Sequence, residues 1–135
     1  MLSDSGRRGR KRGLVLVDAL LLLVAVALLL AVGVPELTAA RRRSAQTALR
    51  SDLRRLAAAQ ESYFYDRRVY AADPLDLQVT GFRPSPGVRI AVHEATQNGW
   101  SASGSHAETP ARCFLFLRGA APVGTATRPG EIHCR

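Results

Sequence analysis

The hydrophobic pattern divides the chain into three regimes. From Leu14 to Val34 the sequence is apolar for 21 residues with Asp18 as its only charge. At about 1.5 Å per residue such a run spans roughly 30 Å as a helix, the thickness of a bilayer's hydrocarbon core. It reads as a transmembrane helix over residues 14–34. After Pro35 a helical period begins: Ala45, Leu49, Leu53, Leu56, Gln60, Tyr63 and Phe64 share one side of a 3.6-residue wheel. This predicts an amphipathic continuation of the helix over residues 35–65, ended by Asp66 and the turn-rich residues beyond it. Pro35, with Gly33 just before it, removes a helical hydrogen bond and is expected to kink or locally melt the rod without ending it.

Residues 66–87 contain three prolines and two glycines with no sustained period, so they read as a connecting loop with one short turn of helix at Pro74 to Leu77. From Gly87 the period becomes two. Val88, Ile90 and Val92 alternate with Arg89, Ala91 and His93, which predicts a half-buried strand. Trp100, Ala102 and Gly104 suit a second strand after Asn98-Gly99, a dipeptide that signals a hairpin when it separates alternating segments. A third strand is expected at Cys113 to Arg118 and a short fourth at Glu131 to Cys134. The fold class is therefore α+β: a long N-terminal helix whose second half packs on a small antiparallel sheet of about four strands. Residues 66–135 supply the loop, the sheet and a C-terminal loop.

The apolar run begins directly after Arg7, Arg8, Arg10, Lys11 and Arg12. Such a cluster holds the N-terminus in the cytoplasm and places the chain beyond residue 34 on the far side, a bias that Arg41 to Arg43 oppose only slightly. Asp18 is unusual, because a carboxylate at mid-bilayer costs about 2.5 to 3.5 kcal/mol and one that sits there usually has a partner. The order is a basic leader, Gly13, an apolar residue, an acid five residues past the glycine, an apolar run and a proline. It resembles the N-terminal segment of type IV pilins and of the related pseudopilins of type II secretion. The family usually has glutamate where this chain has Asp18, and Phe-Thr-Leu-Ile where it has Leu14, Val15, Leu16 and Val17. A second stretch, AAAQESYFYDRRVYAADPLDL, is similar to the segment where many pilin helices end in an aromatic cluster before the sheet.

The resemblance implies that residues 1–13 are a leader removed by a prepilin peptidase between Gly13 and Leu14. It further implies N-methylation of Leu14, a role for Asp18 in subunit assembly and a bend at Pro35. Two other readings of the N-terminus stay open. One is an ordinary secretory signal cut near Thr38-Ala39-Ala40; the other is an uncut signal anchor with Asp18 solvated near the interface.

Charge and cysteine content refine the picture. The formal net charge is +8, but residues 1–13 carry five of the 19 basic side chains and one of the 11 acidic ones. What remains is +4, a modest bias that does not mark a dedicated nucleic-acid binder. Arg43, Arg50 and Arg54 project from another side of the second helical half. They suit either a contact row for subunits or an anionic polymer, or simply a solvated helix face. Cys113 and Cys134, the only two cysteines, read as a disulfide on the far side of a membrane, worth about 3 kcal/mol in the chain-entropy account. The alternative is a pair of buried free thiols. The Gly- and Pro-rich loop between them is expected to lack a core of its own; the resemblance implies the same tethering, since similar C-terminal loops are tied in many pilins.

Nothing in the sequence assigns catalysis. His93, His106 and His133 share no metal-ligand spacing, and neither a phosphate-cradling loop nor a G-x-S-x-G or H-E-x-x-H motif occurs. No metal or cofactor is expected. The function implied is a structural subunit of a type IV pilus-like filament, held in a bacterial inner membrane and then carried into a periplasmic or surface filament. Its partners would be the prepilin peptidase, other pilin subunits, an inner-membrane platform with its motor ATPase, and membrane lipid. Nucleic acid would be bound weakly if at all. Other readings are a secretion pseudopilin, a DNA-uptake pilin, or a membrane-anchored envelope binding module that never polymerises.

Overall fold

The computed structural model describes the backbone of residues 5–135 and the side chains of residues 13–135. The side chains of the basic leader lie outside the described residues. Helix α1 spans Ser5–Arg67 and continues through Pro35 without a break, with the Thr38 hydroxyl donating to the Pro35 carbonyl at 2.9 Å. The chain forms two compact units, the first ending at Ala40 and the second covering Arg41–Arg135. The first consists of the N-terminal part of α1.

The second unit is α+β. The C-terminal part of α1 is followed by a 3-10 helix (Pro74–Thr80) and by strands β1 (Val88–Ala95), β2 (Gly99–His106), β3 (Thr109–Arg118) and β4 (His133–Cys134). The strands form one antiparallel sheet in the order β1-β2-β3-β4. Its core is the expected stripe laid on the expected strands. Leu49, Leu53 and Leu56 are fully buried. They pack against cross-strand rows formed by Ile90, Gly104, Cys113 and Cys134, by Val92, Ala102 and Leu115, and by Ala95, Trp100 and Leu117. Cys113 and Cys134 sit directly opposite each other on β3 and β4 and are joined by a disulfide.

Two polar side chains of α1 inside this interface are paired, whereas the Trp100 indole N–H in the same core has no partner among the described residues. Gln60 is fully buried on the stripe, and its side-chain amide clasps one residue of the following loop: Nε2 donates to the Ala71 carbonyl and Oε1 accepts from the Ala71 N–H, both at 2.8 Å. A buried peptide unit that no strand pairs is thereby satisfied by a side chain. Asp52, also fully buried, accepts from the Ser85 hydroxyl at 2.8 Å and from Arg55 Nη1 at 3.0 Å, and from the Ser85 backbone N–H.

Several boundaries and one mechanism differ from expectation. α1 ends one residue later than Asp66, at Arg67, because Arg68 takes a left-handed φ of 59° while its N–H still reaches the Phe64 carbonyl. The turn at Pro74 lengthens into a 3-10 helix capped by Asp73, whose carboxylate accepts from the Leu75 N–H at 2.9 Å. The hairpin falls where Asn98-Gly99 placed it, yet Gly99 is not there for a positive φ. The turn is closed by Thr96, whose N–H donates to the Gly99 carbonyl at 3.0 Å. Glycine is needed because a Cβ at position 99 would lie 2.5 Å from the Leu117 carbonyl oxygen and from the Ala120 nitrogen. β3 begins earlier, at Thr109, and β4 is only His133–Cys134, since Glu131 N–H turns back to the Arg128 carbonyl instead of joining the ladder.

The C-terminal loop was expected to lack a core, and it has a small one. Ala120 and Ala126 are buried with Phe116, and Phe114 and Val123 pack against them on the sheet face away from the helix. That cover explains why β2 is buried on both faces, Ser101 and Ser103 included.

The Gln60 clasp generates a test. Gln60→Ala leaves the Ala71 N–H and carbonyl buried without partners, at about 1 to 3 kcal/mol per group. We expect a loss of about 2 to 4 kcal/mol in denaturant unfolding of the detergent-solubilised full chain, followed by the fluorescence of the single tryptophan, Trp100. The exposed control Gln78→Ala should stay within about 0.5 kcal/mol of the parent.

Candidate functional site

The feature that sets this chain apart is an apolar helix with no cover. Leu and Ala, which make up most of the run, favour an unbroken helix here, and the large side chains from Leu14 to Val34 are 45–73% exposed on every side of it. A single buried stripe would mark a helix of a soluble core; apolar character all round marks one that belongs in lipid or among other helices. Each such side chain gains about 1.5 to 3 kcal/mol on leaving water, so the segment demands an apolar surrounding. It is long and apolar enough to cross a membrane.

Asp18 is exposed on this segment, one helical turn from Leu14. Gly13 stands just before the run and inside α1, where a Cβ would meet nothing within 4 Å and no positive φ calls for glycine. Since glycine in a helix costs about 1 kcal/mol relative to alanine, the fold supplies no reason for it. Pro35 likewise lies inside the helix.

Arg43, Arg50 and Arg54 are all exposed on the second half of α1. The structure separates them: Arg50 and Arg54, one turn apart, line an open groove of about 530 Å³ that does not include Arg43. Its floor is apolar, from Ala57, Leu115, Leu117 and Ile132, and the segment from Gly130 to His133 forms the opposite wall. Glu131 on that wall is already engaged by Arg128 at 3.7 Å and by His133 at 3.4 Å. The other two histidines are separately occupied, His93 with the Ser103 hydroxyl at 2.8 Å and His106 with the Glu108 N–H at 3.0 Å.

A polar lock that sequence reasoning missed closes the C-terminal end of α1. Glu61 takes the guanidinium fork of Arg118 at 3.1 and 3.4 Å, and the Tyr70 hydroxyl donates to the same carboxylate at 3.1 Å. Phe64 stacks on Tyr70 with ring centroids 4.6 Å apart, and Arg118 lies over Phe64. Burial, and then the hydrogen bond and charge of Glu61, push the Tyr70 phenol above its ordinary value, against a smaller lowering by Arg118. The aromatic run at Tyr63 to Tyr70 flagged the place; the partner on β3, 57 residues from Glu61, left no sequence signal.

Neither the protein-family models nor the curated proteins include a match to this chain.

The Tyr70 lock has a pH signature. Because its folded pKa is raised, the neutral phenol contributes stability that is complete below the unfolded value of about 10 and is lost as pH rises through the folded value. Tyr70→Phe cannot ionise. Its unfolding free energy should fall less steeply than the parent's above about pH 10, as measured by Trp100 fluorescence in denaturant titrations across that range.

Proposed function

We propose that this chain is a structural subunit of a type IV pilus-like filament, anchored in a bacterial inner membrane by residues 14–34 and assembled through them. The observation that carries the reading is the uncovered apolar helix with one acid, Asp18, near its start and a domain of helix-on-sheet construction after it. Gly13 adds support: a glycine the helix does not need, between a basic leader and an apolar run, suits recognition by a peptidase. The mechanism is packing. Subunits wait in the membrane with the N-terminus cytoplasmic, and on assembly their apolar helices exchange lipid for one another in the filament core. A prepilin peptidase, an inner-membrane platform and a motor ATPase would be supplied by partners. Pro35, which cannot donate a helical hydrogen bond, gives the helix a point of easy bending.

Processing is tested by the intact mass of membrane-extracted protein. The expected species lacks residues 1–13 and carries one methyl group on the Leu14 amine. Retention of Met1 would favour an uncut anchor, and a start at Arg41 ordinary secretion.

Assembly is tested at Asp18. After cleavage the Leu14 ammonium and the Asp18 carboxylate lie one turn apart, so a pair within one subunit is geometrically possible. In a filament, where neighbouring helices are offset along the axis, the Leu14 amine of the next subunit meets Asp18 in an apolar core, and leaving one of those charges alone there is strongly unfavourable. Asp18→Ala should therefore insert and be cleaved normally yet be depleted at least about tenfold from sheared filaments, a change of about 1.4 kcal/mol or more. Asp18→Glu should assemble. Filaments of Asp18→Ala at parental levels would reduce Asp18 to a helix-start residue.

A further inference from the structure

The second unit carries a knob and a groove on opposite edges of its sheet, with matching chemistry. The knob is the 3-10 helix Pro74–Thr80, which packs beside β1 and is pinned by the buried Leu77. Its outer side presents Leu75 and Val79, 66% and 72% exposed, flanked by the exposed acids Asp73 and Asp76. Asp73 caps the helix with one carboxylate oxygen. The groove lies between α1, β3 and the segment joining to β4, with an apolar floor and Arg50 and Arg54 on its helical wall. Among the described residues neither arginine has an acidic partner. Two cations one turn apart repel each other modestly, so an acid brought between them is favoured twice.

We propose that the Leu75–Val79 knob of one copy of this chain seats in the Arg50–Arg54 groove of the next, with Leu75 on the apolar floor and Asp76 between the two arginines. The docking rests on the filament reading and names one contact surface for it. Knob and groove cannot meet within one chain, since the strands between them hold them apart by two or more spacings of about 4.8 Å. Because knob and groove lie on opposite edges of the sheet, two copies cannot seat both pairs at once about a two-fold axis. A contact between unlike surfaces is heterologous, and unless it closes into a ring it leaves a free groove at one end and a free knob at the other, so it propagates. The charges choose the partner and the register, while the apolar floor excludes water.

The test uses the full chain in its native membrane with the photo-reactive p-benzoylphenylalanine in place of Leu75. Irradiation should give a dimer whose adduct maps by mass spectrometry to residues 50–57, 115–117 or 130–132. Arg50→Glu with Arg54→Glu should lower its yield at least about tenfold. Adding Asp76→Arg to Arg50→Glu and Arg54→Glu in the same chain should restore it, since the cation on each knob then meets two acids in the next copy's groove. Unchanged Trp100 fluorescence confirms that these exposed substitutions leave the fold intact. An adduct on another surface, on lipid or on nucleic acid, or a yield indifferent to the charge changes, overturns the docking. Sheared filaments measured in parallel separate the two ideas: filaments without the groove adduct overturn the docking alone, and the groove adduct without filaments supports the docking while overturning the filament reading.

Discussion

The second unit depends on one contact, the seam between Leu49, Leu53 and Leu56 of α1 and the inner face of the sheet. Three full strands and a two-residue fourth have one large apolar face, and among the described residues no other element is long enough to cover it. The helix is thus not an attachment to a finished domain but one of its two layers. The same covalent helix continues from a segment that must leave water into a segment that must hold a sheet. Its two halves accordingly use different patterns, apolar all round before Pro35 and apolar on one stripe after Ala45.

Once the helix seals the sheet, the irregular chain between them has to find partners for its buried backbone. Gln60 and Asp52 provide these from the helix side, clasping Ala71 and Ser85 respectively. Glu61 fixes the helix end in another way, holding two side chains, the Tyr70 hydroxyl and the Arg118 guanidinium. These side chains turn what composition reads as a loose loop into a fixed one. In this light the 3-10 helix is a stable projection, held at Leu77 inside and open at Leu75 and Val79 outside.

Local periodicity made the helix, the stripe, the strands and the hairpin legible, because each is written in consecutive residues. What it concealed were contacts whose two halves lie far apart. Gln60 reads on the stripe as a position without a role, and Asp52, an acid on a helix, resembles a solvated one. Ser85, the partner that gives Asp52 its meaning, is 33 residues away. Asn98-Gly99 located its turn correctly for a reason the structure replaces, the close approach of Gly99 to the end of β3. The second core was in principle visible: CFLFLR is apolar on both faces of a strand, with Phe114 and Phe116 alternating against Leu115 and Leu117, and two-sided apolar strands are buried on both sides. In the candidate site the apolar run was legible from length alone. The groove beside Arg50 and Arg54 was not, since its far wall arrives from residues 130–133.

The physics of lipid sets what a filament of such chains would need. Acyl chains are as apolar as leucine, so moving residues 14–34 from a bilayer into a bundle of like helices yields little hydrophobic free energy, and association must draw on packing and polar contacts instead. A segment built almost wholly of Leu, Val and Ala carries little that could fix register along its length. One carboxylate near its start is different: in an apolar core it is costly everywhere except beside a cation, so it specifies a single offset. Contacts between the folded units would add orientation that a smooth apolar rod cannot supply. In the proposed filament the apolar helix therefore sets where the subunit resides, while its few charged groups, Asp18 in the rod and the arginines and acids of the second unit, set how one subunit stands against the next.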